Sequence, residues 1–436
     1  MIEKFQSHLT NNFPYLFGKK LLLATSGGLD SMVMAHLFKS LNFEIALAHC
    51  NFQLRGNESL EDHLFVKNYA EANGIPVFIT QFDTQSFATD YQLSTQVAAR
   101  ELRYNWFYEL LENENFDYIL TAHHADDNIE TFLIHLIRGS GLDGFTGIPS
   151  QNESIVRPLL TFSRDEIASY AAANAIQWRE DSSNTSDKYL RNKIRHNLVP
   201  LLKELNPSFL TSFQNTQKYL NEAQVMVEDA TIMIYQQVAT EVSDEIHFNI
   251  DKLKMLPNYS SYLYQWLKEY GFSAWEDIYE LVDSQSGKQV FSAEFRLLKD
   301  RSALILAPIT ENNSTEVYYI EENQKEFNFP IKLFISDNNF NSNTDKSIIF
   351  VDADKLKFPL SLKKYEEGAV FQPFGMDGKS KKVSKLFKDE KLSLLQKENT
   401  WILYSNEEIV WVIGIRQDER FKIDTKTKNS LQIALK

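Results

Sequence analysis

Four short apolar runs, LLLAT (21–25), EIALAHC (44–50), PVFIT (76–80) and DYILTAH (117–123), alternate with longer amphipathic segments along the first part of the chain. Residues 30–40, 59–73, 95–114 and 126–138 carry apolar side chains at intervals near three and four, the period of a helix with one buried face. This βαβαβαβα order predicts parallel strands joined by right-handed crossovers, hence an α/β fold with a doubly wound, mostly parallel sheet. Ligands of such a sheet lie beyond the carboxyl ends of the strands, where the connecting loops converge. Three of those loops read SGGLDS, HCNFQLRG and HHADDNIET, and the chemistry is expected there.

The remaining chain calls for different architecture. At roughly 150 residues per domain, 436 residues suggest about three domains. Helical patterns dominate 207–245 and return at 259–284, whereas IIFVDADKL, WILYSN and EIVWVIGI near the end have β-type spacing. An acidic, Asn-rich stretch at 311–344 reads as loops around a short strand or two. The expected division is therefore a catalytic α/β domain at 1–206, a largely helical domain at 207–345 and a small β-rich α+β domain at 346–436. A net charge of −14 argues against indiscriminate nucleic-acid binding, yet the segment 351–436 carries 17 Lys and Arg against 13 Asp and Glu. Within it, KSKKVSKLFKDEK (379–391) places Lys381, Lys382 and Lys385 beside Phe374 and Phe387, one candidate surface for a polyanion. Cys50 is the single cysteine, which excludes an internal disulfide, a CxxC pair and an iron–sulfur cluster. With no signal peptide and no apolar run of about 18 residues, the expectation is a cytoplasmic protein without a membrane partner.

Ser26-Gly27-Gly28-Leu29-Asp30-Ser31 follows a strand and opens a helix. Two glycines permit close backbone approach and a helix N-terminus offers unpaired N–H groups, so an anion belongs there; an ordinary turn capped by Ser and Asp is the plainer alternative. The nucleotide P-loop pattern is absent, since Pro373 stands where GMDGKS would need its first glycine. Asp127 and Glu130, three apart, share a helix face and can hold an ammonium or a metal, or can merely complement the helix dipole. A histidine zinc site is disfavoured, because His123 and His124 point apart and no third ligand stands at helical spacing. Arg191 and Arg195, with Lys188, line one face of a further helix, as a cationic stripe or a solvated face.

The glycine loop resembles the pyrophosphate-binding loop of the N-type ATP pyrophosphatases. That resemblance implies that Ser26, Gly27, Gly28, Asp30 and Ser31 bind ATP and that Asp30 also places Mg²⁺. Further matches, HCNFQLRGNESLED (49–62), AARELRYNWF (98–107), RGSGLDGFTGIP (138–149), RPLL (157–160) and EDSSNTSDKYLRNKIRHNLVPLL (180–202), are similar to the tRNA(Ile)-lysidine synthetase family. FQPFGMDGKSKKVSKLFKDEK and EIVWVIGIRQDERFK resemble that family's C-terminal domain, and Phe145, where a leucine is expected, departs from the pattern.

The resemblance implies a ligase that adenylates C2 of the wobble cytidine of a CAU-anticodon isoleucine tRNA and then joins free L-lysine to it. Asp127 and Glu130 would recognise lysine, and Arg191 and Arg195 would meet phosphate or adenylate charge, so that Asp30, Asp127, Arg191 and Arg195 form the catalytic set. His49 and Asn51 would contact adenine or ribose, Arg100 and Arg103 would steady phosphate or RNA charge or pair with Glu101 or Glu109, and Lys381, Lys382 and Lys385 would bind tRNA. Phe52, Phe374 and Phe387 are stacking platforms or core, Cys50 packs as a small hydrophobe, and a homodimer stays open. A tRNA thiolation enzyme would need more cysteines, an amide-forming synthetase would need a glutamine-hydrolysing domain, and a non-catalytic tRNA module would not need Asp30, Asp127 and Glu130 intact.

Overall fold

The computed structural model describes residues 1–180, 190–309, 316–337 and 345–436, which form two compact units, Met1–Asp229 and Ala230–Lys436. Lys188 and most of the Ser/Asn-rich turn before Arg191 lie outside the described residues.

The first unit is built on β1 (Lys20–Ala24), β2 (Glu44–Asn51), β3 (Val77–Gln81), β4 (Tyr118–Leu120), β5 (Gln151–Asn152) and β6 (Ile155–Val156), in the order β3-β2-β1-β4-β6-β5. All neighbours run parallel except β5 and β6. The helices are α1 (Ile2–Asn12), α2 (Leu29–Ser40), α3 (Asn57–Asn73), α4 (Thr84–Asp90), α5 (Thr95–Asn113), α6 (Ala125–Arg138), α7 (Leu142–Phe145), α8 (Arg164–Ala173), α9 (Leu190–Lys193), α10 (Val199–Leu205) and α11 (Phe209–Val238). Leu21 and Leu23 face a core with Val33, Leu37 and Ile167, while Leu22 faces Phe107, Leu110 and Ile119 on the opposite side. Burial on both faces is why β1 reads as an unbroken apolar run rather than an alternating one. Strand order reverses between β1 and β4, so the crevice at their carboxyl ends is the switch point where a ligand fits.

Two local details differ from the sequence reading. Ladder pairing ends at Leu120, because after Thr121 N–H bonds to the Val156 carbonyl the chain turns to cap α6. A short helix, α4, precedes α5; its signal is Asp83, whose carboxylate accepts from Ser86 N–H at 3.1 Å. Phe387 is core and Phe374 is exposed.

The loop after α7 is pinned through Asn128, which accepts from Ile148 N–H at 2.8 Å and donates to Gln217 at 2.6 Å. Gly147 has φ +85°, and an added Cβ would collide with Gln217 Nε2 and Asn128 Oδ1. Gly147→Ala is therefore expected to cost roughly 2–4 kcal/mol, combining left-handed strain with overpacking, as a lowered urea midpoint.

In the second unit, Ala239–Val242, Glu245–Asn249, Ala303–Pro308, Phe295–Lys299 and Gln289–Phe291 form, in that order, a five-stranded antiparallel sheet packed on helices Ile250–Lys254, Tyr259–Leu267 and Trp275–Leu281. Tyr259–Leu267 and Trp275–Leu281 fall where the sequence reads as helical, but Ile250–Lys254 and the sheet do not, and Ala239–Val242 is a strand within the segment 207–245 read as helical, so the middle region is mixed rather than largely helical. Beyond lie a five-stranded and a four-stranded sheet around Trp411, Val351 and Ile433. Tyr318–Ile320 and Leu333–Asp337 pair into them beside Leu360–Lys364 and Ser430–Leu435.

Candidate functional site

The glycine loop leaves β1 through Thr25 and Ser26 and enters α2 with Gly28 as its N-cap. Gly27 has φ +91°, and a Cβ there would meet Val66 and Phe65 of α3 at 3.4 and 3.5 Å, so glycine supplies both the conformation and the clearance. Ser26 Oγ accepts from Gly28 N–H at 3.2 Å and lies 3.3 Å from Ser31 Oγ, which donates to the Gly28 carbonyl at 2.9 Å. The Gly27 carbonyl accepts from Arg179 N–H, and Arg179 pairs with Asp62 and Glu61 of α3. The loop is thus held from behind at the N-terminus of α2, the position at which a helix favours an anion.

Asp30 and the loop after β4 meet across that crevice. His124 caps α6: its backbone N–H donates to Asp127 Oδ2 at 3.0 Å, and its Nδ1 accepts from Asp127 N–H at 3.3 Å. With Nδ1 an acceptor, the ring proton sits on Nε2, which lies 3.7 Å from Asp30 Oδ2 and 3.6 Å from Asp127 Oδ2. One imidazole therefore joins the glycine loop to the acidic helix. Burial above all raises the Asp30 pKa; His124 works against it and Asp127 with it. Asp30 Oδ1 is buried without a partner. An orphaned carboxylate oxygen beside an anion cradle fits a hard cation whose other ligands are phosphate oxygens and water. Among the described residues, no cluster of three or more His, Cys, Asp or Glu is arranged for a metal.

The acidic pair is not free. Glu130, 1% exposed, accepts from Arg191 Nε at 2.7 Å and Arg195 Nε at 2.5 Å, and Asp127 Oδ1 lies 3.2 and 3.1 Å from the Nη2 atoms of the same arginines. Burial is the largest influence on Asp127 and pushes its pKa up, but His124, Arg191 and His123 together hold it below the ordinary carboxylate value. Arg195 sits in a five-residue π-helical turn, Ile194–Leu198, between α9 and α10. Asp126 faces elsewhere, accepting from Arg164 N–H and pairing with Lys203 at 2.6 Å.

His49, two residues before the end of β2, is buried, with Nδ1 2.9 Å from the Thr25 carbonyl and Nε2 without a partner. The carbonyl fixes the proton on Nδ1, so Nε2 is a bare acceptor, and burial lowers the pKa of the ring. Asn51 is spent on the turn, accepting from Gln53 N–H. Burial pushes the Cys50 thiol up to about 12, in keeping with a packing role. Arg100 and Arg103 lie over the rings of Tyr104 and Phe52 at 4.8 and 5.1 Å. In the second unit Lys381 pairs with Asp389 at 2.6 Å, while Lys382 and Lys385 are exposed.

Sequence reasoning singled out Ser26–Ser31, Asp127, Glu130, Arg191 and Arg195 but gave His124 no role. His124 had a signal, a polar residue three positions before Asp127 at a helix start.

A glycine loop and a charged cluster at the switch point of a doubly wound sheet are the features of a PP-loop enzyme, and a family model described as the PP-loop domain matches residues 1–202. Models for the TilS substrate binding domain and the TilS substrate C-terminal domain match residues 241–309 and 360–433. The tRNA(Ile)-lysidine synthase of Bacteroides thetaiotaomicron is 40% identical over 95% of both chains. That of Porphyromonas gingivalis is 34% identical over 93% of this chain and 91% of its own. The chain belongs to the tRNA(Ile)-lysidine synthase family, ATP-dependent ligases. Among the described residues, no helix is long and apolar enough to cross a membrane.

Proposed function

We propose that the chain converts the wobble cytidine of a CAU-anticodon isoleucine tRNA to lysidine in the cytoplasm, using ATP, Mg²⁺ and free L-lysine. The observation that carries this reading is the junction at His124, which sets Asp30 of the nucleotide loop and Asp127 of the acidic pair within 3.7 Å of one nitrogen. In the first step cytidine O2 attacks the α-phosphorus of ATP and pyrophosphate leaves. In the second the side-chain amine of lysine, having lost a proton, adds to C2; the C2–O2 bond breaks and AMP departs with that oxygen.

Ser26, Gly27, Gly28 and Ser31 hold the pyrophosphate portion, with Ser26 Oγ passing from the Gly28 N–H to a phosphate oxygen, and His49 Nε2 accepts from a donor of the nucleoside. Asp30, together with phosphate oxygens, would hold Mg²⁺, which when bound would supply positive charge against that of the departing pyrophosphate. Lysine arrives as an ammonium, since its amine has an ordinary pKa of about 10.4. Arg191 and Arg195 turn from Asp127 and Glu130 to the adenylate phosphate, leaving the carboxylates to the ammonium, so each charge has a partner before and after the exchange.

The purified chain with ATP, labelled lysine and an unmodified CAU tRNA transcript is expected to form AMP and labelled tRNA together. Label that fails to enter the tRNA while AMP forms would contradict the lysine assignment. Lys382 and Lys385, with Lys381, bind tRNA phosphates in this reading. Neutralising all three is expected to weaken tRNA binding and to lower the slope of log affinity against log salt by roughly 0.7 to 0.9 for each phosphate left unpaired. An unchanged slope would remove this patch from the interface.

A further inference from the structure

Arg157, in the RPLL segment, has no role in the scheme above. It follows β6, two residues beyond Ile155, and so projects to the sheet face where Ile155 packs with Phe107 and Leu110 of α5. It is 6% exposed. Its Nη1 donates to the Pro149 carbonyl at 2.8 Å, and its Nε is buried without a partner. Tyr104, Arg100 and Tyr108 are the groups that act on it, and burial lowers its pKa with Arg100 pressing the same way. A desolvated guanidinium normally faces a carboxylate, because burying a lone charge costs several kcal/mol. This one faces a carbonyl, a phenol and a second arginine.

The geometry points to a phosphate-binding site at Arg157, completed by the exposed Arg100, that takes a phosphodiester of the RNA strand whose base enters the crevice. The inference rests on the RNA reading above. The site stands on the far side of β4 from the glycine loop, since β6 is the next strand over, and the charge of Arg157 is felt at His123, where it adds to burial in lowering the pKa. Arg103, one turn along α5 from Arg100, lies over Phe52, and Phe52 stacks on Phe82 at 5.8 Å and 24°, a cationic and aromatic grouping of the kind single strands use. A phosphate supplies the missing countercharge, and Tyr104, gripped between Arg100 and Arg157, sets their spacing.

The test uses the full chain with Arg157→Met, Arg157→Lys and Arg100→Gln. Arg157→Met is expected to weaken binding of an unmodified CAU tRNA about tenfold and to flatten its salt slope by roughly 0.7 to 0.9. Arg157→Lys should recover part of the loss and Arg100→Gln show a smaller one. The KM for ATP should stay put, and the melting temperature of the ligand-free chain should hold or rise. A raised KM for ATP with unaltered tRNA binding would keep the phosphate site but assign it to the nucleotide. No change in either, or a lowered melting temperature with every parameter reduced alike, overturns the site. Should the wild type fail to modify tRNA, the functional reading falls separately. Inorganic phosphate then decides: stabilisation of the wild type beyond that of Arg157→Met sustains the site, and equal stabilisation overturns it.

Discussion

Asp30→Asn is expected to lower AMP formation by about 10²–10³-fold or more, while tRNA affinity stays within a few-fold and stability at neutral pH is not reduced. The activity loss follows from removing the carboxylate whose buried Oδ1 has no protein partner and whose Oδ2 faces His124. The stability expectation follows from linkage. Burial foremost, with Asp127 adding to it, raises the Asp30 pKa above its ordinary 3.8. Between 3.8 and that raised value the folded chain holds the proton the unfolded chain has released, so this group's contribution falls as pH climbs through the window and stays unfavourable above it. Asparagine carries no such penalty. Urea midpoints in EDTA should therefore favour Asp30→Asn over wild type more at pH 7 than below pH 4. A variant that unfolds more easily at pH 7, or loses tRNA binding, would make Asp30 a structural residue.

The crevice itself is readable from the sequence because its parts are local. Ser26–Ser31 lies wholly in one strand-to-helix turn, and Asp127 and Glu130 share a helix face whatever surrounds them. Pairings across the fold are not local. The spacing of Arg191 and Arg195 announces a cationic stripe, but nothing in it says that the stripe closes on Glu130, some 60 residues earlier. Sequence reasoning therefore sent the acids to lysine and the arginines to phosphate, and the fold shows the four already satisfying one another. His124 was hidden because its chemistry comes from a cap, and imidazole is an uncommon cap acceptor. The sheet of the second unit was hidden by its short strands and by the mostly exposed edge strand Ala239–Val242, whose ATEV sequence carries little period-two signal beside the strong helical pattern of α11.

Glu130→Gln is expected to cost about 3 kcal/mol of stability, read as a lowered urea midpoint, because it removes the charge that both guanidinium groups share. That is the low end for breaking a buried ion pair, since Arg191 keeps part of its head group in water. Asp127→Ala should cost less, as one oxygen alone meets the arginines and the other belongs to the helix cap. The two variants then part ways in function. Asp127→Ala should leave tRNA-dependent pyrophosphate release largely in place but raise the KM for lysine about 30-fold, equivalent to ~2 kcal/mol of lost charge pairing. Retaining the arginines while removing a carboxylate leaves excess positive charge where an ammonium must sit, so the effect should exceed that of losing a neutral hydrogen bond. An Arg195→Met change made on top of Asp127→Ala removes that excess and should recover part of the lysine affinity. A double variant no better than the single one would mean that lysine binds elsewhere and that the four side chains serve only to fasten α6 to the segment after α9.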